Sequence, residues 1–147
     1  MKIKIDRISP QGLVLDELVS PAALDLAEGD IRLQDALKVH AQVSRVSDEI
    51  FVDLQLDGCL VMTCSRCLEE VRLPLHKQAQ HEYSFDKTQL VIDLIPDIRD
   101  DLILDFPIQP LCSQDCKGLC PQCGANRNQN KGVCHAITEE TTFQDPG

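Results

Sequence analysis

The sequence predicts an α+β fold, mainly antiparallel β-sheet or a partly open barrel, with one or two short helices and a cysteine-rich, zinc-binding C-terminal tail. Three observations lead there. Leu37, Val39, Ala41 and Val43, then Ile50, Val52, Leu54 and Leu56, alternate with polar residues, the period of a strand with one buried face. Only residues near 96–106 carry helical spacing over a useful length. After Pro110 the apolar pattern collapses into a stretch dense in Cys, Gly, Asn and Gln, where an apolar core cannot organise the chain. A chain of 147 residues is one domain's worth. The expected layout is an antiparallel β-rich domain over 1–110 with a helix near 96–106, and a metal-binding tail over 111–147 packed on a hairpin tip at 64–67, in a single compact domain.

The elements follow in order. Ile3, Ile5 and Ile8, then Leu13, Val14 and Leu15 after a Gln11-Gly12 turn, suggest two short extended pieces. Ser20-Pro21 before AALDLAE and Gly29 has a cap, a first-turn proline and a glycine stop, enough for one or two helical turns. The two alternating runs, separated at Ser47-Asp48, form a hairpin, and Gly58 signals a bulge. Leu60 and Met62 lead into Cys64, and Val71, Leu73 and Leu75 alternate out to Tyr83 and Phe85. This second hairpin has cysteines at its tip. Over 90–107 a strand precedes a helix, with Pro96 in its first turn, Ile98, Leu102 and Phe106 on one side, and Pro107 ending it. Asp93, Asp97, Asp100, Asp101 and Asp105 read as a solvated helix face.

Fourteen basic against 24 acidic residues leave a net charge of −10, which excludes a large phosphate-neutralising surface. MKIKIDRISP has no signal-like apolar run, and nothing later approaches a membrane span of ~20 apolar residues. A cytoplasmic protein is expected. Its eight cysteines then sit where thiols stay reduced, so metal ligation is preferred over disulfides.

Cys64 and Cys67, like Cys120 and Cys123, have C-x2-C spacing, and Cys112 and Cys116 have C-x3-C spacing. Two thiolates so spaced reach one tetrahedral Zn²⁺ while the turn amides point at the sulfurs. With Cys134 and His135 these make eight candidate ligands. One division puts Cys64, Cys67, Cys112 and Cys116 in one site and Cys120, Cys123, Cys134 and His135 in another. A competing division builds one site from four of the five tail cysteines and leaves Cys64 and Cys67 as free thiols. His135 is the weakest ligand, because neighbouring side chains of an extended chain face opposite ways. Cys59 reads as a small buried hydrophobe.

Catalytic readings have less support. Cys116-x3-Cys120-x2-Cys123 has the spacing of a radical-enzyme cluster loop but lacks the chain length for the usual barrel. Cys64 and Cys67 lie in a β-hairpin pattern rather than ahead of a helix in a βαβ unit, the setting of a redox pair. The four histidines have no distinctive context, and His40 and His76 fall at exposed strand positions. A thiol- or metal-dependent enzyme, a CxxC redox protein or a hydrolase, remains the alternative to a non-catalytic protein with structural zinc.

Cys64-Ser65-Arg66-Cys67-Leu68-Glu69, Pro107-x-x-Pro110-Leu111-Cys112, and Cys116-Lys117-Gly118-Leu119-Cys120-Pro121-Gln122-Cys123-Gly124-Ala125-Asn126 together resemble the bacterial YceD family, also called DUF177. The resemblance spans essentially the whole chain. It implies a ribosome-biogenesis role, supporting accumulation of 23S rRNA and the large subunit. The implied partner is a large-subunit precursor or a basic ribosomal protein, with no membrane and no small-molecule substrate. Family tails often end in a C-x-C pair where this chain has Cys134-His135, which weakens the second site. Direct rRNA contact would be limited to a strip of Lys117, Arg127 and Lys131 with Asn126, Asn128 and Asn130, extended by Arg66 and Arg72. With Tyr83 and four Phe but no Trp, a base-stacking platform is poorly supplied.

Overall fold

Strand order follows from the alternation. The computed structural model describes residues 1–26 and 31–129. Strands β1 (Lys2–Lys4) and β2 (Leu13–Val19) precede helix α1 (Pro21–Leu24), then come β3 (Ile31–Leu33), β4 (Leu37–Val46), β5 (Glu49–Thr63), β6 (Glu70–Ser84), β7 (Val91–Asp93) and α2 (Ile95–Asp105). β5 is central. Its first part pairs with β4 and a later part with β3, while β6 runs along its whole length on the other side, and β2 extends the sheet beyond β4. Every pairing is antiparallel, including the separate β1–β7 ribbon. The fold class is as the sequence predicts, mostly antiparallel sheet with two helices, and among the described residues the strands do not close into a barrel.

The even-numbered residues of β5, Ile50, Val52, Leu54 and Leu56, are buried against Leu37, Val39, Ala41 and Val43 of β4. Ile98 and Leu102 of α2 lie in the same core with Ile3, Leu24, Ile92 and Leu94. Each such side chain contributes about 1.5–3 kcal/mol by leaving water. The Ser47-Asp48 turn takes Ser47 to a φ of 55°. α1 is capped by Ser20, which accepts from the Ala23 amide, and stops after one turn because Asp25 turns left-handed at φ 48°. The glycine stop expected at Gly29 falls outside the described residues.

Three expectations need correction. Gly58 is not at a bulge: Gly58 pairs with Leu75 in unbroken register, and Leu60 and Met62 keep the inward parity of Ile50 to Leu56. It instead marks where β5 passes from β4 to β3, and a Cβ there would lie 3.0 Å from Leu37 Cδ1. The acidic row of α2 is not simply solvated. Asp97 accepts from the Tyr83 hydroxyl, Asp101 lies 2.7 Å from His81 Nε2, and Asp105 lies 3.3 Å from Lys77 Nζ. Lys77, His81 and Tyr83 share the inner face of β6 with Leu73 and Leu75, so the helix docks through apolar and polar rows side by side. Cys59 is half-buried, not enclosed. His40 and His76 do lie on the outer face, beside Asp16 and Asp57.

Candidate metal centre

The β5–β6 hairpin ends in register at Thr63 and Glu70, and the inward parity of Leu60 and Met62 passes to Cys64. At the tip the Cys64 amide donates to Glu69 O at 2.8 Å and the Leu68 amide donates to Cys64 O at 2.9 Å. Closing so tight a loop places Leu68 in the left-handed region at φ 60°. Both Cys64 and Cys67 are buried.

The chain leaving α2 returns to this tip. Pro107 and Pro110 prevent helix continuation, and Pro110 O accepts from the Ser65 amide at 2.8 Å. Further along, the Leu119 amide donates to Arg66 O at 3.2 Å and Arg66 Nη1 donates to Cys116 O at 3.0 Å. Gly118 permits the close approach: its φ is +72°, and a Cβ there would lie 3.2 Å from Arg66 O. Val71 and Leu111 pack against the cysteines.

These contacts bring Cys64, Cys67, Cys112 and Cys116 together, with all four sulfurs within 4.8 Å of one another. Cys64 Sγ lies 3.7 Å from Cys116 Sγ, and Cys67 Sγ lies 3.7 Å from Cys112 Sγ. A tetrahedron with Zn–S bonds of ~2.3 Å has edges of about 3.8 Å. The sulfur set therefore fits one four-coordinate ion, the grouping of the first division above. Three of the four residues are buried and Cys112 is exposed.

The thiols are not equivalent. Burial pushes Cys64 up, but the backbone N–H groups of Cys67, Arg66 and Cys112 outweigh it and bring the thiol down to about 6. At Cys67 the Glu69 amide pulls down, yet burial and the three other thiols together carry it to about 12. Cys112 is raised, first by the Cys116 thiol and then by burial. Cys116 is lowered, first by the Asn128 side chain, whose Nδ2 donates to its sulfur at 3.3 Å. The four thiols thus differ in how readily they ionise, and a dication at the centre would favour four thiolates.

Asn128 makes contacts at the cluster that sequence reasoning did not assign to it. It donates to Cys116 Sγ and accepts from the Lys117 amide at 2.9 Å, while its own amide donates to Asn126 Oδ1. Arg66 is likewise committed to the tail through Cys116 O. Lys117 and Arg127 are exposed. Cys120 is buried and Cys123 exposed. They sit on a small turn closed by Cys120 N to Ala125 O and Gly124 N to Cys120 O, both 2.8 Å, with Gly124 at φ 73°. Neither belongs to the four-cysteine group. Lys131, Cys134 and His135 lie outside the described residues.

Residues 80–146 match the family model described as "Large ribosomal RNA subunit accumulation protein YceD". An uncharacterized protein of Mycobacterium tuberculosis is 28% identical over 135 residues, 82% of this chain and 65% of that protein. The uncharacterized protein YlbN of Bacillus subtilis is 25% identical over 134 residues, 82% of this chain and 78% of that protein. The chloroplastic "Large ribosomal RNA subunit accumulation protein YCED homolog 1" of Arabidopsis thaliana is 44% identical over 43 residues, 29% of this chain and 13% of that protein. The chain thus spans about 65% of the length of the mycobacterial relative it matches. No solved structure matches it significantly. Among the described residues no helix is long and apolar enough to cross a membrane. Through residues 80–146, which carry five of its eight cysteines, and through relatives aligned across most of its length, the chain resembles the YceD family, as its cysteine motifs predict.

Proposed function

We propose that this protein is a non-catalytic, cytoplasmic ribosome-biogenesis factor that supports 23S rRNA accumulation and large-subunit assembly, with a structural zinc ion held by Cys64, Cys67, Cys112 and Cys116. The observation that carries the metal half is the four-sulfur set, spaced for a tetrahedral ion and contributed by two segments distant in sequence. The likeness to proteins named for large ribosomal RNA subunit accumulation supports the other half. Four cysteine ligands complete a tetrahedral shell, the form of structural rather than catalytic zinc. That favours a binding factor over a metal-dependent hydrolase.

With a net charge of −10, contact with a basic ribosomal protein on the precursor is favoured over extensive rRNA contact. Arg66, Lys117 and Arg127 lie at the metal-centre end, where local phosphate contact would occur. Depletion in the native bacterium is expected to lower the 23S to 16S rRNA ratio and to leave large-subunit precursors in sucrose gradients. Unchanged profiles, in the cold as well as at the optimum, overturn the ribosomal reading. Metal counted on protein purified without a metal resin tests the other half, and an ion-free reduced protein overturns it.

A further inference from the structure

The four cysteines differ in what protects each sulfur. Cys116 Sγ accepts from Asn128 Nδ2 at 3.3 Å, and Cys64, Cys67 and Cys116 are all buried. Donated hydrogen bonds withdraw charge from a sulfur and dull it as a nucleophile. Cys112 has its sulfur 3.7 Å from Cys67 Sγ. It is also the exposed member, whereas the other three are 0–4% exposed. One sulfur in the cluster therefore combines access with a second thiol within reach.

We propose that Cys112 is an oxidant-sensitive modification site, that hydroperoxides react there first, and that Cys67 resolves the product into a Cys67–Cys112 disulfide. The chemistry balances with hydrogen peroxide as the oxidant. Cys112 gives up its thiol proton as its sulfur attacks one peroxide oxygen, the O–O bond breaks, the leaving hydroxide takes up that proton as water and Cys112 becomes a sulfenic acid. Cys67 likewise gives up its proton as its sulfur attacks that of Cys112, an S–S bond forms, the S–O bond breaks and a second hydroxide leaves as water. The two sulfurs lose one electron each, and the peroxide takes up both. Cys67 is selected because its sulfur is 3.7 Å from that of Cys112, while Cys64 and Cys116 are paired with each other at the same distance.

The product has a structural consequence. A Cys67–Cys112 disulfide joins the same two segments as the metal centre, so the hairpin tip and the tail stay tied after oxidation, and reduction by thiols restores the cluster. The proposal rests on the reading of the four cysteines as one reduced site.

The test uses the unmodified full chain, with its metal counted before treatment. Limiting hydrogen peroxide is added, residual thiols are alkylated, and peptides are mapped by mass spectrometry under non-reducing conditions. Cys112 is expected to be consumed first among the four, at least roughly tenfold faster than Cys64, Cys67 or Cys116, because a buried sulfur is reached only through local opening. A Cys67–Cys112 peptide is expected to follow. First loss at a buried cysteine, a dominant Cys64–Cys116 or intermolecular disulfide, or no loss of Cys112 under excess peroxide each overturns the proposal. A protein that carries no metal beforehand sinks the zinc reading instead, and the order of cysteine loss still decides the modification site.

Discussion

Replacing Cys64 by serine is expected to destabilise the whole sheet. The side chain is 0% exposed at the end of the longest hairpin, and the ion it would help hold closes the loop between Cys67 and Cys112, with 44 residues in between. By the relation used for disulfide loops, closing a loop of that length removes about 4 kcal/mol of unfolded-state entropy, and measured clips deliver roughly half to all of such a figure. For a chain of 147 residues, with an unfolding entropy of about 0.3 kcal/mol/K, the melting temperature should fall by roughly 6–13 °C. Cys120→Ser is the contrast. Cys120 lies on a turn closed within a few residues, so its loss should loosen the tail and leave the sheet melting within about 3 °C of the parent. Circular-dichroism melts with metal counted per chain make the comparison. In excess chelator the Cys64→Ser deficit should largely disappear, because the parent has then lost the same clip. Full metal content and an unchanged melting temperature in Cys64→Ser, with metal lost in Cys116→Ser, refute the spanning site.

Asn128→Ala removes both the hydrogen bond to Cys116 Sγ and the acceptor for the Lys117 amide; metal affinity, read by competition with a chromogenic chelator, should fall about 10–100-fold. Gly118→Ala forces a Cβ into the left-handed region 3.2 Å from Arg66 O and should cost about 1–3 kcal/mol in denaturant melts. Tyr83 is the single tyrosine of a chain without tryptophan, so tyrosinate absorbance reports it alone. Burial first, then the Asp97 hydrogen bond and charge, raises its pKa. Its stabilising effect is therefore complete below the unfolded value of about 10 and lost as pH rises toward the folded one. Asp97→Asn should bring the titration midpoint down, and an unshifted midpoint would show that the Tyr83–Asp97 contact is absent in solution.

How much of this was legible in the sequence depended on how local each signal was. Strict alternation located β4 and β5, because a period of two needs no partner to be recognised. β3 escaped notice because Ile31–Leu33 has only three residues, and it exists by pairing with the far end of β5. The row Asp97, Asp101, Asp105 has helical spacing, but charges considered on their own element look solvated. Their partners Lys77, His81 and Tyr83 are polar residues at inward positions of β6, and that parity, counted from Leu73 and Leu75, was the available clue. Grouping eight ligand candidates into sites required knowing which chain segments meet, and only the three-dimensional path of the tail after Pro110 supplies that. The contact of Asn128 with Cys116 was missed for the same reason, since it reaches across from 12 residues downstream.

The sheet and the cysteine cluster specify one another. Cys64 is inward because β5 keeps one parity from Ile50 through Met62, across Gly58, without a bulge. Slipping β5 by one residue relative to the core would turn Ile50, Val52, Leu54 and Leu56 to solvent, and the same slip would carry Cys64 to the outer face. Burial of four large side chains, at about 1.5–3 kcal/mol each, therefore positions a sulfur well beyond the last of them. The cluster acts in the reverse direction. Strands as long as β5 and β6 tolerate register error most readily at their far end, where β4 no longer pairs and only β3 supports them. A four-sulfur centre that requires Cys64 and Cys67 on one side of the tip rejects the slipped register there, which a chain ending in two serines would have no comparable means of doing. Gly58 fits this arrangement as well. Its missing Cβ lets Leu37 pack 3.0 Å from where that atom would lie, at the point where support passes from β4 to β3. A larger residue there would displace the strand between its core-anchored half and its metal-anchored half.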